Sequence, residues 1–178
     1  YPDVKEFVSP GLIKKLSQQL CASGFKGIFL FSGFSEPMLA KNIYDLIAIA
    51  HNNLPDARIE MVTNGDALKE KKLRRLFDSG LSTILISVYD GEEDAKRFED
   101  MCQTAELSEG QYVIRHRYRP PEEDFGITLS NRGGAMGNAE HAKAPLQKAM
   151  KTPCYYPHYT FFMDYQGDVA PCCHDWKK

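Results

Sequence analysis

The chain has 178 residues, enough for one hydrophobic core, or for one domain and the start of a second. Its 22 basic and 24 acidic residues leave a formal charge of −2, with no basic surplus to hold a nucleic-acid polyanion. No apolar run reaches the ~18 residues of a membrane span and no signal-peptide pattern follows Tyr1, so a cytoplasmic protein without membrane or nucleic-acid partners is expected.

Ser9-Pro10 has the form of a helix start, with Ser as N-cap and Pro in the first turn. Leu12, Ile13, Leu16 and Leu20 recur at helical spacing, and Gly24 ends the pattern. "FKGIFLFSG" (Phe25 to Gly33) then reads as a strand covered on both faces. After "FSEP" a second helix is predicted, with Ile43, Leu46, Ile47 and Ala50 on one side. "RIEMVTNG" predicts a strand ending in a Gly turn. A third helix runs through Leu68, Leu73, Leu76 and Phe77 and is closed by Gly80. "STILISVYDG", "EEDAKRFEDMCQTAEL" and "QYVIRHRYRP" continue as strand, helix and strand, the last stopped by Pro120-Pro121. Such alternation with short connections is the pattern of a parallel α/β sheet or barrel.

Beyond this point "GITLS" could add a short strand, "NRGG" (Asn131 to Gly134) is loop, and "PLQKAM" suggests a helix. From Cys154 the pattern becomes a β-hairpin, "HYTFFMDY" and "DVAPCC" turning at Gln166-Gly167. The expected organisation is a partial (β/α) parallel barrel over residues 1–150 and the hairpin start of a small domain over 151–178. Four clear strands and a weak fifth fall short of an eight-stranded barrel, which needs ~250 residues.

In parallel α/β folds ligands gather at the carboxyl ends of the strands. Those ends carry Gly33, Ser35 and Glu36, then Thr63-Asn64-Gly65, then Ser87, then Arg115 to Arg119. Gly65 and Gly91 also suit plain turns, and the polar residues plain helix caps. Pro37 pushes Glu36 towards extended backbone, exposing N–H and C=O groups that suit a ligand bearing an amine and a carboxylate. "VIRHRYRP" alternates Arg115, Arg117 and Arg119 against Tyr112, Ile114, His116 and Tyr118. If the Arg side is the inner one, it calls for an anionic partner, from the protein or from a ligand.

The five cysteines form no regular disulfide framework. Cys21 and Cys102 fall in helical patterns and are expected to be packing residues. Cys154 and Cys172 read as C-x12-G-x4-C, a spacing in which a hairpin brings two thiolates side by side for Zn²⁺ or Fe–S. Cys173 alternates to the other side of the strand.

The ordered set resembles the radical S-adenosylmethionine (SAM) enzymes that carry a C-terminal SPASM or twitch auxiliary-cluster domain. "SGFSEP" is similar to the GGEP-type motif after that family's second strand, with Ser35 where Gly is usual. "VTNG" is similar to the segment after the third strand, and "ISVYDG" to the Ser-bearing end of the fourth. C-x12-G-x4-C fits the opening of the auxiliary-cluster domain. The resemblance implies that Gly33, Ser35 and Glu36 lie against the methionine end of SAM and that Ser87 hydrogen-bonds SAM. Thr63, with Arg115 or Arg117, would face SAM or substrate. Cys154 and Cys172 would ligate an auxiliary Fe–S cluster.

The resemblance further implies a SAM-cleaving [4Fe–4S] cluster, a flavodoxin- or ferredoxin-type electron donor, and an oxidoreductase acting on a small-molecule or peptide substrate. The family's C-x3-C-x2-C loop is absent from the sequence and is expected upstream of "YPDVKEF", so the chain reads as the middle of a longer protein, inactive by itself. The alternative is a non-catalytic α/β binding protein with a zinc hairpin built from Cys154, Cys172 and either Cys173 or His174.

Overall fold

Four short apolar runs, each separated from the next by one amphipathic helix, pair as a single parallel sheet. The computed structural model describes residues 6–33, 35–119, 123 and 151–172. In chain order the elements are α1 (Pro10–Ala22), β1 (Ile28–Phe31), α2 (Ile43–Asn53), β2 (Arg58–Thr63), α3 (Glu70–Asp78), β3 (Thr83–Val88), α4 (Glu92–Thr104) and β4 (Tyr112–His116). A two-stranded piece, β5 (Phe162–Met163) and β6 (Val169–Ala170), follows. The sheet order is β1-β2-β3-β4, all parallel. The expected α/β fold with a parallel sheet is therefore present. "GITLS", "NRGG", the "PLQKAM" segment, Cys173 and His174 lie outside the described residues.

The signals that start and stop α1 act as the sequence suggests. The Ser9 side chain accepts from the Leu12 N–H at 3.1 Å, and Gly24 follows the helix at φ +75°. The inward stripe of α1 packs on α2, where Asn53 Nδ2 donates to Ser17 Oγ at 3.0 Å and Ser17 Oγ donates to the Ile13 carbonyl at 2.7 Å. Two boundaries differ from the sequence reading. α3 starts at Glu70, because Leu68 is held in a turn by its N–H donating to the Gly65 carbonyl at 2.9 Å. β4 stops at His116, although the Arg117 N–H still donates to the Val88 carbonyl at 2.7 Å.

Strand register sorts the side chains onto two faces. One face carries Phe29 and Phe31, Ile59 and Met61, Ile84, Ile86 and Val88, and then Tyr112, Ile114 and His116. The helices cover this face: Ile59, Met61, Ile84 and Ile86 are fully buried beside Leu46, Ile47, Leu73, Leu76 and Phe98. The other face carries Ile28 and Leu30, Arg58, Glu60 and Val62, Thr83, Leu85 and Ser87, and then Val113 and Arg115. At its edges Ile28, Leu30 and Val113 are 55%, 48% and 42% exposed, so no helix of this unit seals it. Near the amino ends of the strands a polar tie closes this face. Arg58 pairs with Glu60 at 3.1 Å and donates to Thr83 Oγ1 at 2.7 Å, and that hydroxyl donates to the Gly110 carbonyl at 3.0 Å.

The two helical cysteines part company. Cys102 in α4 is fully buried, and burial, with Glu99 nearby, pushes its thiol up to about 11. Cys21 is exposed, which corrects the expectation that it packs. It stands one position, about 100° of helix rotation, past the half-buried Leu20 that ends the stripe. Iodoacetamide at pH 8 is therefore expected to label Cys21 in the native protein and to reach Cys102 only after unfolding, since the thiolate is the reactive form. Peptide mass mapping checks this, and equal labelling of both thiols contradicts the burial of Cys102.

Ser9–Tyr118 forms one compact unit, and residues 151–172 belong to a second. Within the second, β5 and β6 pair antiparallel, Phe162 opposite Ala170 and Met163 opposite Val169. Asp164 Oδ1 fixes the turn by accepting from the N–H groups of Gln166, Gly167 and Asp168 at 2.9–3.0 Å, with Gly167 at φ +96°. Among the described residues no helix is long and apolar enough to cross a membrane.

Candidate functional site

The carboxyl end of β1 leaves the sheet through Gly33, whose φ of +124° lies where only glycine sits without strain. Ser35 is exposed and Glu36 is extended (φ −82°, ψ 115°), as the following Pro requires, and Pro37–Leu39 forms one 3-10 turn. The Glu36 carboxylate does not point idly outward. Its Oε1 accepts from the Met38 N–H at 2.9 Å and from the Thr63 hydroxyl at 2.6 Å. Its Oε2 accepts from the Asn64 N–H at 2.8 Å. The end of β1 is thereby tied to the end of β2.

Thr63 is 2% exposed and its Oγ1 also accepts from the Gly65 N–H at 3.0 Å. Asn64 and Asp66 close a small ring, Asn64 Nδ2 donating to Asp66 Oδ2 at 2.7 Å and the Asp66 N–H donating to Asn64 Oδ1 at 3.1 Å. Gly65 stands at φ +83°, and a Cβ there would lie 2.3 Å from Cζ of Phe98 in α4. The β2–α3 turn is thus pressed against a buried aromatic ring as well as held by Glu36.

On the face that the helices leave open, Ser87 lies beside Arg115 in register and is 4% exposed. Arg115 thus stands on the side turned away from the helices, and Arg117, in the turn just past β4, lies close enough to act on its charge. Arg115 is held below the usual arginine range, first by burial and then by repulsion from Arg117, with Glu60 acting in the opposite direction. Arg117 Nε is buried and has no hydrogen-bond partner among the described residues. Glu60 is already paired with Arg58. The carboxylate that acts on Arg115, that of Glu60, is thus partly spent on Arg58. Such a face can hold an anionic group.

The structure therefore brings Glu36 to Thr63, and Ser87 and Arg117 to Arg115, along one rim of strand ends. Cys154 is exposed and Cys172 half-buried in the second unit. Among the described residues no three His, Cys, Asp or Glu side chains gather as a metal site. Sequence reasoning overlooked Glu60; the signal was a carboxylate at inward parity within the apolar run "RIEMVT". It also overlooked the chain from His116 Nδ1 to Tyr118 OH, at 2.7 Å, and on to the Glu92 carboxylate. That chain lies beside a groove of about 480 Å³ between α4 and β4, on the helix-covered face and so opposite to the arginine pair.

The chain is 27% identical over 172 residues to the S-adenosyl-L-methionine-dependent 2-deoxy-scyllo-inosamine dehydrogenase of Niallia circulans. That alignment covers 96% of this chain and 63% of the relative's length. Among solved structures, the crystal structure of BtrN in complex with AdoMet and 2-DOIA superimposes with a TM-score of 0.71 at 25% identity. It covers 97% of this chain and 63% of that one. BtrN in an open conformation shares the fold at a TM-score of 0.60 and 22% identity, over 95% of this chain and 59% of that one. The family model for the radical SAM superfamily matches residues 2–112, well over half of the chain. The chain belongs to the radical SAM superfamily.

Proposed function

We propose that the intact protein is a radical SAM oxidoreductase that dehydrogenates or otherwise modifies a small, polar, hydroxyl-bearing ring of the aminocyclitol or sugar type. The observation that carries this reading is the open sheet face, where Arg115 and the unsatisfied Nε of Arg117 stand at the carboxyl ends of parallel strands. A relative that acts on an aminocyclitol supports the substrate class.

SAM fits the rim on three counts. Gly33 lets backbone approach closely, Ser87 sits beside Arg115, and the arginine pair suits a carboxylate. When bound and reduced, SAM supplies a radical that takes one hydrogen atom from a substrate carbon. The chain's own residues do the rest of the work. Arg115 and Arg117 hold acceptor groups in fixed orientation, and Ser87 offers a hydroxyl donor beside them. Ile28, Leu30 and Val113 are the apolar wall of that face, which keeps water from the reacting centre once ligands cover it. In the proposed partial barrel this face is the inner one.

Cys154 and Cys172 are proposed as two ligands of an auxiliary Fe–S cluster in a twitch-type domain that opens with the β5–β6 hairpin. A cytoplasmic flavodoxin or ferredoxin is the proposed electron donor.

Anaerobic reconstitution of the full-length protein with iron and sulfide tests the reading. SAM is expected to be cleaved to 5′-deoxyadenosine by a brown protein. Cys154→Ala with Cys172→Ala is expected to lower bound iron by the content of one cluster while SAM cleavage without substrate persists. A colourless protein with stoichiometric zinc, no iron and no SAM cleavage overturns it in favour of the zinc-hairpin binding protein.

A further inference from the structure

We infer that an exposed basic ridge, Lys41, Lys69, Lys71 and Arg75, is the docking surface for an acidic redox protein that carries a flavin or an iron–sulfur group. The inference rests on the radical SAM reading above and deepens it by naming the surface that the electron donor meets.

The order of charges is the first reason. The chain is −2 overall, yet the stretch from Lys69 to Asp78 holds five basic residues against two acidic ones. Cations are unfavourable at a helix N-terminus and favourable at its C-terminus, so a face built only for solvation and helix stability has no use for lysines at the start. α4 follows the rule, with Glu92, Glu93 and Asp94 in its first turn. α3 reverses it. Lys69 is its N-cap residue, and Lys71 and Lys72 follow within the first turn. Glu70, the acidic residue of that turn, is paired with Arg74 at 3.2 Å.

Availability is the second reason. Lys41, Lys69 and Lys71 are exposed and have no ion pair among the described residues. Lys72 is engaged, its Nζ donating to the Ala67 carbonyl at 2.8 Å. Both α2 and α3 run back from the carboxyl ends of parallel strands, so their N-termini share the rim end of the sheet. The Arg75 guanidinium stacks on Tyr44 of α2, 4.0 Å from the ring centre, and joins the outer sides of the two helices. Lys41 and Lys71 stand three and four positions before Tyr44 and Arg75, towards the rim. Asp45 is exposed on α2, but about 100° of helix rotation away from Tyr44. Positive charge here steers a partner whose redox group is ringed by carboxylates towards the end of the sheet where SAM is proposed to bind. In each encounter the reduced partner loses one electron, which the reductive cleavage of SAM consumes.

The test uses the full-length reconstituted protein with SAM present. The probes are an acidic flavodoxin and an acidic ferredoxin, each reduced, and stopped-flow absorbance follows their oxidation. Lys41→Glu with Lys69→Glu and Lys71→Glu is expected to lower the second-order rate constant about tenfold or more at about 0.1 M salt. The loss is expected to shrink at about 1 M salt, where the Debye length falls to about 3 Å. SAM cleavage driven by dithionite is expected to stay at the parent rate, because a small reductant needs no docking surface. Folding is not put at risk, since a carboxylate at position 71 suits the helix dipole. Lys14→Glu with Lys15→Glu and Lys26→Glu makes the same change in net charge elsewhere and is expected to keep the parent rate with both probes.

Equal losses in the two triple variants, or the parent rate in the first, overturn the inference. So does a parent that neither carrier reduces while dithionite succeeds. Sedimentation with phosphatidylserine vesicles that the first variant loses, with carrier kinetics unchanged, gives the ridge to a membrane surface and overturns it as well. If dithionite drives no SAM cleavage in the parent, the functional reading itself falls and takes this one with it. The other outcomes overturn the docking surface alone.

Discussion

Gly65→Ala is expected to destabilise the protein by about 2–5 kcal/mol, the sum of backbone strain and overpacking. The strain comes from φ +83°, which an alanine adopts only at a cost of roughly 1 kcal/mol or more. The overpacking comes from Phe98, whose ring carbons Cζ and Cε1 would stand 2.3 and 2.6 Å from the new Cβ. Phe98 is 1% exposed and cannot swing into solvent. Displacing the turn also moves the Gly65 N–H from Thr63 and, through Thr63, disturbs Glu36.

Urea unfolding measures the first effect. A companion variant, Gly65→Ala with Phe98→Leu, separates the two causes, because the smaller side chain relieves the clash and leaves the strain. The double variant is expected to lose less than the sum of the single ones. A stability within about 0.5 kcal/mol of the parent for Gly65→Ala is the size of an ordinary surface change and contradicts the close approach of turn and ring.

Arg117→Met carries the opposite signature. Methionine keeps most of the aliphatic stem while removing a buried donor that has no partner among the described residues, and it removes the charge that opposes Arg115. Without ligands the variant is expected to be more stable by about 1 kcal/mol, the lower end of the cost of an unsatisfied buried group. Binding of SAM, through its carboxylate, is expected to weaken about 100-fold, or ~2.7 kcal/mol, the scale of a lost charge-assisted contact. Thermal melting and equilibrium dialysis on the same preparations check both halves. A residue held only for structure gives the reverse, with stability lost and binding unchanged. A gain in stability paired with a loss in binding is what a group kept for a ligand produces.

Local order was the most legible part of the sequence. Ser9, Pro10 and Gly24 frame α1, and the strand-then-Gly rhythm yields four parallel strands because caps and turns act over a few residues. The side of β4 that turns from the helices was not legible. Alternation assigns Arg115 and Arg117 to one side and His116 to the other, but only the register with β3, and the helices behind it, says which side is covered. The tie between Glu36 and Thr63 spans 27 positions, and Gly65 meets a ring in α4. Such contacts arise when parallel pairing lines up strand ends, a step that composition and spacing do not encode. Cys21 shows the same limit from the other direction. Helical pattern placed it near a buried stripe, and a rotation of one residue left it in solvent.

The spatial order of the four strands is also their order along the chain. Each of β2, β3 and β4 therefore finds a partner one βα unit upstream. On the ribosome the sheet can lengthen at one edge as each unit emerges. The loop-closure entropy of each addition is that of a few tens of residues, whatever the final length of the protein. Along this rim the Glu36 end is therefore synthesised before the arginine end.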